Sequence, residues 1–114
     1  MINHDQLPAW IPGKMVASSE GLGWKGVSFR HYDYKPTTVD VPAMSEFLVI
    51  EYVSGHTRLD RNVEGQWKAS DCYPGDLTLL TRSRSSQWHW TGSVGVRHAY
   101  ITGDFLVDVA DEVL

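Results

Sequence analysis

Residues 47–80 read FLVIEYVSGHTRLDRNVEGQWKASDCYPGDLTLL, and this stretch decides the fold. Phe47 to Val53 is almost continuously apolar and β-prone, the pattern of a strand covered on both faces. Ser54-Gly55 turns it, and His56 to Val63 runs back. Glu64-Gly65 fits a two-residue hairpin loop leading into Gln66 to Ser70. Pro74-Gly75 fits the centre of a type II turn, because Pro presets φ and Gly tolerates positive φ, and Asp76 to Leu80 follows as a strand. On the N-terminal side, Val27 to Tyr34 alternates Val27, Phe29 and His31 against Ser28, Arg30 and Tyr32. Lys35-Pro36 ends it, since Pro donates no ladder hydrogen bond, and Thr38 to Val41 is a short β-branched run stopped by Pro42. On the C-terminal side, Gln87 to Trp90 and Val94 to Thr102 are strands parted by a Thr91-Gly92 turn. Roughly eight short strands at regular spacing, then one helix, predict an all-β domain: a small jelly-roll barrel with a C-terminal helix.

The two flanks read differently. Met1 to Gly23 holds no sustained period and is broken by Pro8, Pro12, Gly13, Gly21 and Gly23. It is expected as an extended, partly mobile arm, with Leu7, Trp10 and Ile11 able to pack onto something. Residues 24–102 then make the barrel and residues 103–114 the start of a helix. Phe105, Leu106, Val109, Ala110, Val113 and Leu114 fall on one apolar stripe, with Asp104 as N-cap. No Gly, Pro or basic residue closes the last turn, so the helix reads as cut rather than finished.

With 114 residues the chain is one domain's worth of material, and 42% apolar with 21% charged residues excludes disordered and fibrous classes. No apolar run approaches a membrane span and no signal peptide shows. The net charge of −4 argues against nucleic-acid binding by this chain alone. The single Cys72 offers neither a disulfide nor a CxxC motif, which predicts a reducing, cytoplasmic setting.

The five histidines (His4, His31, His56, His89 and His98) include no HxH pair, so neither a metal nor a cofactor is expected. No Ser lies in a GxSxG setting and Cys72 shows no activating neighbour, so no catalytic residue is assigned. A metal-free acid–base cluster of His31, Asp33 and Tyr34 is disfavoured, because adjacent strand positions point to opposite faces. Gln87-Trp88-His89-Trp90 carries more information: Trp88 and Trp90 share one strand face, and Val94, Val96, His98 and Tyr100 share a face of the next. If both faces look inward, the interior is an aromatic, hydrogen-bonding cavity for a small organic molecule. The competing reading makes Trp88 and Trp90 core fillers. Trp88, His98 and Tyr100 are the principal ligand-binding candidates, with Trp24 and His31 at the barrel entrance. Arg58, Arg61 and Arg97 are either partners for an acidic ligand or solvated surface charges.

Trp24-Lys25-Gly26-Val27, the Phe47–Gly55 stretch, Pro74-Gly75-Asp76-Leu77-Thr78-Leu79-Leu80, and His98-Ala99-Tyr100-Ile101-Thr102 running into the helix together resemble the N-terminal domain of AraC-type transcriptional regulators. The resemblance implies a cupin-type barrel that binds an effector and forms a homodimer, with DNA bound by helix-turn-helix motifs of a separate C-terminal domain. It places effector contacts at Trp88, His98 and Tyr100 and matches the family's N-terminal arm to Met1–Gly23. Thr81, Ser83 and Ser86 stand where the second cupin motif has Pro, Gly and His, and Ser54 to Trp67 lacks the first motif's HxH. Metal-dependent cupin catalysis is therefore not implied. The expected function is a non-enzymatic effector-sensing and dimerisation domain, with Phe105, Leu106, Val109 and Val113 packing on the barrel or a second subunit. The rivals are a metal-free cupin isomerase or epimerase and a ligand-free dimerisation module.

Overall fold

Strand alternation and turn chemistry build the molecule as read. The computed structural model describes residues 1–80 and 84–113; Thr81, Ser83 and Leu114 lie outside the described residues. The strands are β1 (Lys14–Ser18), β2 (Val27–Tyr34), β3 (Thr37–Val41), β4 (Phe47–Gly55), β5 (Thr57–Val63), β6 (Gln66–Cys72), β7 (Leu77–Leu80), β8 (Ser86–Trp90) and β9 (Val94–Ile101), followed by α1 (Gly103–Val113). They form a five-stranded sheet, β1-β2-β9-β4-β7, facing a four-stranded sheet, β3-β8-β5-β6. Neighbouring strands within both sheets are antiparallel. This is an all-β jelly roll with a terminal helix.

The turns follow their residues. Glu64 and Gly65 have φ of 54° and 79°, the paired left-handed values of a type I′ hairpin. Gly75 at φ 97° supplies the positive dihedral that a type II turn requires after Pro74. Between the sheets, Leu48, Ile50 and Tyr52 of β4 meet Leu59 of β5, Trp88 and Trp90 of β8, and Val96 of β9 in one core.

One local expectation is refined and two are corrected. Residues 1–23, expected as a partly mobile arm, pack Leu7 and Ile11 inward as read, while Trp10 stays 46% exposed and residues 14–18 add an edge strand. A 3-10 turn at Leu7–Ala9 buries Leu7 to 1% exposure and Ile11 to 9%, and β1, unmarked by any clear alternation, pairs with β2. The gain from burying Leu7 and Ile11 outweighs the missing local period. Strand β4 is covered on one face only: Leu48, Ile50 and Tyr52 are buried while Phe47, Val49 and Val53 are half-buried on the outer side. The helix is capped by Thr102, whose Oγ1 accepts from the Phe105 N–H at 3.2 Å, so Asp104 lies in the first turn. None of the described helix residues is buried; the stripe Phe105, Leu106, Val109 and Val113 ranges from 36% to 76% exposed.

Candidate functional site

The space between the two sheets is the site the fold offers. Trp88 and Trp90 turn inward from β8 while His89 turns out, and Val94, Val96, His98 and Tyr100 are all buried on β9, as the alternation predicts. The cavity is small, about 50 Å³ open to water-sized molecules. Its wall is almost wholly apolar and includes Leu48, Ile50, Leu59, Trp88, Val96 and His98. Leu7 and Ile11 of the N-terminal segment complete that wall, so their side chains occupy room that a ligand would need.

The polar groups around this space are already engaged. Trp88 Nε1 donates to Ser86 Oγ at 2.7 Å, and Trp90 Nε1 donates to the Lys35 carbonyl at 2.8 Å. Thr57 Oγ1 accepts from the Thr91 and Gly92 N–H groups. His98 Nδ1 and the Tyr100 hydroxyl are hydrogen-bonded at 2.7 Å. Burial, with the nearby positive charge of Arg30 adding to it, pushes the His98 pKa down to about 3, so its ring is neutral at neutral pH. Burial likewise raises the Tyr34, Tyr52 and Tyr100 phenols above their ordinary value.

Of the residues read from the sequence, Trp88 and His98 line the cavity, and Tyr100 is fully buried behind His98, outside the wall. Trp24 and His31 are not brought to it. Trp24 is 55% exposed with its ring edge-on to Phe29, and His31 lies on the outer face of β2, where the alternation buries Arg30, Tyr32 and Tyr34 instead. There the His31 Nε2, Asp33 Oδ1 and Ser54 Oγ atoms converge over Gly95, where an added Cβ would displace the Ser54 hydroxyl. Arg97 pairs with Glu51 at 3.0 Å on the same outer face, and Arg58 lies 3.6 Å from Asp60. Cys72 is buried.

The alternation of β2 gave no warning of the polar cluster that fastens the N-terminal segment. Arg30, 7% exposed, donates through Nη1 to the His4 carbonyl at 2.8 Å and pairs through Nη2 with Asp5 at 2.6 Å. The buried Glu46 carboxylate accepts from the His4 N–H at 2.8 Å and lies 2.9 Å from His4 Nδ1. The His4 ring stacks on Tyr100 with centroids 4.9 Å apart. Ile2 adds a parallel bridge to Met44. An Arg at an inward strand position was the only signal in the sequence.

Among the described residues, no three His, Cys, Asp or Glu side chains are grouped to hold a metal ion. His98 has the phenol of Tyr100 as its hydrogen-bond partner, not the carboxylate that an orienting acid–base pair needs.

Comparison with solved structures settles the architecture. The EutQ protein of Clostridium difficile superposes with a TM-score of 0.58 over 81% of this chain and 68% of that chain, at 15% identity. A cupin-like protein from Thermotoga maritima gives a TM-score of 0.60 over 82% and 69%, at 10% identity. The fold is cupin-like. Hydroxypropylphosphonic acid epoxidase from S. wedmorenis, an enzyme, shares it at 7% identity with a TM-score of 0.55, over 67% of this chain and 44% of that one. At these identities the likeness is one of fold alone. No family model and no curated protein sequence matches the chain. No helix among the described residues is long and apolar enough to cross a membrane.

Proposed function

We propose that this cupin domain is a non-catalytic, cytoplasmic regulatory module of the AraC-regulator type: it takes a small effector between its sheets and forms a homodimer, and DNA is bound by a separate domain. One observation carries the sensing half. The interior wall is completed by Leu7 and Ile11, two side chains of a segment held to the sheets by a compact polar clamp at His4 and Asp5. An effector that replaces those side chains changes the position of the whole segment, which couples occupancy to shape; the shift is limited by the ligand's differential affinity for the two arrangements. The engaged Trp88, Trp90, Thr57 and His98 groups favour a ligand whose inserted part is apolar. Dimerisation uses the uncovered stripe of α1, and with it two DNA-binding domains are brought to paired half-sites.

The test is a thermal-shift survey of a broad panel of small apolar and polar compounds on the wild-type chain and on Leu7→Ala. Apolar compounds raise the melting temperature of both, and more so in Leu7→Ala, where the room is already made. No shift in either protein refutes sensing. The cavity of about 50 Å³ would then be a packing remnant, and the ligand-free dimerisation module would be the surviving function.

A further inference from the structure

The hairpin of β5 and β6 sets two like charges directly opposite one another. Its two-residue turn pairs Arg61 with Lys68, so both side chains leave the same face of adjacent strands, where like charges repel. On its other side Arg61 pairs in register with Trp88 of β8. Its guanidinium carbon lies 5.4 Å from the centroid of the Trp88 ring, which is itself part of the cavity wall. Arg84 reaches the same concavity and is paired with Glu64 at 2.9 Å. Among the described residues the Arg61 guanidinium meets no carboxylate, and its one side-chain hydrogen bond is a long 3.5 Å contact to the Leu79 carbonyl. In a chain of net charge −4, a half-buried Arg beside a Lys with no acid of its own is a local arrangement awaiting an anion. The concavity and the cavity share Leu80 as a common wall.

We infer that Arg61 and Lys68 bind the carboxylate of an effector whose apolar body enters between the sheets past Leu80 and Trp88: the ligand class is a small apolar carboxylic acid. Arg supplies a planar fork matched to a carboxylate, and the adjacent ammonium adds charge to the same oxygens. This inference rests on the sensing function proposed above and adds the chemistry of the ligand to it.

Isothermal titration of the full chain with phenylacetate and hexanoate, each beside its amide, tests the assignment. The acids bind at least tenfold more tightly than their amides, and Arg61→Gln reduces that difference to less than twofold. Lys68→Gln, which removes the like-charge pair, raises the melting temperature of the free protein and weakens the acids alone. Acids and amides binding equally, with no effect of either substitution, overturns the carboxylate site and leaves sensing intact. Binding of the acids undiminished in both variants overturns it too. Binding of neither acids nor amides by the wild-type chain or by Leu7→Ala overturns this site, while sensing itself falls only if the broad panel above also gives no shift.

Discussion

Replacing Leu7 by Ala tests whether the N-terminal segment belongs to the core. Leu7 is 1% exposed and borders an existing cavity of about 50 Å³, so the lost atoms enlarge a space already present instead of being replaced by neighbours. Buried Leu→Ala changes cost about 2–5 kcal/mol, the spread reflecting how far the surroundings collapse. Leu7 sits on a short three-residue 3-10 turn, where some inward settling is available. The lower half of that range applies, about 3 kcal/mol. At about 4 °C per kcal/mol for a domain of this size, the melting temperature falls by about 12 °C. Urea and thermal unfolding followed by circular dichroism read both quantities. Benzene, an apolar probe for an engineered void, then restores part of the loss, about 2.7 kcal/mol at a hundred times its dissociation constant. A loss below about 1 kcal/mol with no response to benzene would mean that Leu7 does not seal the interior, and the coupling of the N-terminal segment to the cavity would fall.

Three further outcomes follow from the same geometry. His98 is held neutral with a pKa near 3, against about 6.5 unfolded, so the unfolded chain binds the extra proton between these values and stability falls as pH drops below about 6.5. Between pH 7 and pH 5 the His98 contribution to this loss is about 2 kcal/mol; urea midpoints at the two pH values check it, and in His98→Gln that contribution disappears. Trp88 and Trp90 are each 6% exposed while Trp10, Trp24 and Trp67 are 46–58% exposed, so acrylamide quenches tryptophan emission in two phases, and Trp90→Phe shrinks the protected one. Gly92→Ala drives a methyl group into the His56 carbonyl, a backbone atom that cannot rotate away, whereas Gly65→Ala meets open space and pays only for its φ of 79°. Chemical denaturation places the first loss well above the second, which is about 1 kcal/mol; equal losses would contradict the close approach of the two chain segments.

The strands were legible because each carries its own period and each turn its own chemistry. Val27–Tyr34, Phe47 onward and the Glu64-Gly65 hairpin all announce themselves within a few residues. The register of Arg61 against Lys68 is written there too, since a two-residue turn at 64–65 fixes every pair beyond it. What stayed hidden depends on contacts distant in sequence. Leu7 and Ile11 carry no local period, and their burial follows from the space left between the sheets. In β2 both faces hold large side chains, so alternation alone does not decide whether His31 or Arg30 turns inward. The clamp decides for Arg30, which donates to the His4 carbonyl and pairs with Asp5 while the His4 ring stacks on Tyr100. Tyr100 shares the buried face of β9 with His98, yet Tyr100 lies behind the cavity wall, a matter of depth that strand periodicity does not encode.

The most direct measurement is a methyl-resolved NMR titration of the wild-type chain with an apolar acid such as phenylacetate. An interior binding site predicts that the perturbed methyl groups are those of Leu7, Ile11, Leu48, Ile50, Leu59 and Val96, with the Leu7 and Ile11 signals moving furthest as the segment shifts. Saturating ligand that leaves these signals in place, or perturbs only the outward Val49, Leu77 and Leu79, would show that nothing enters between the sheets.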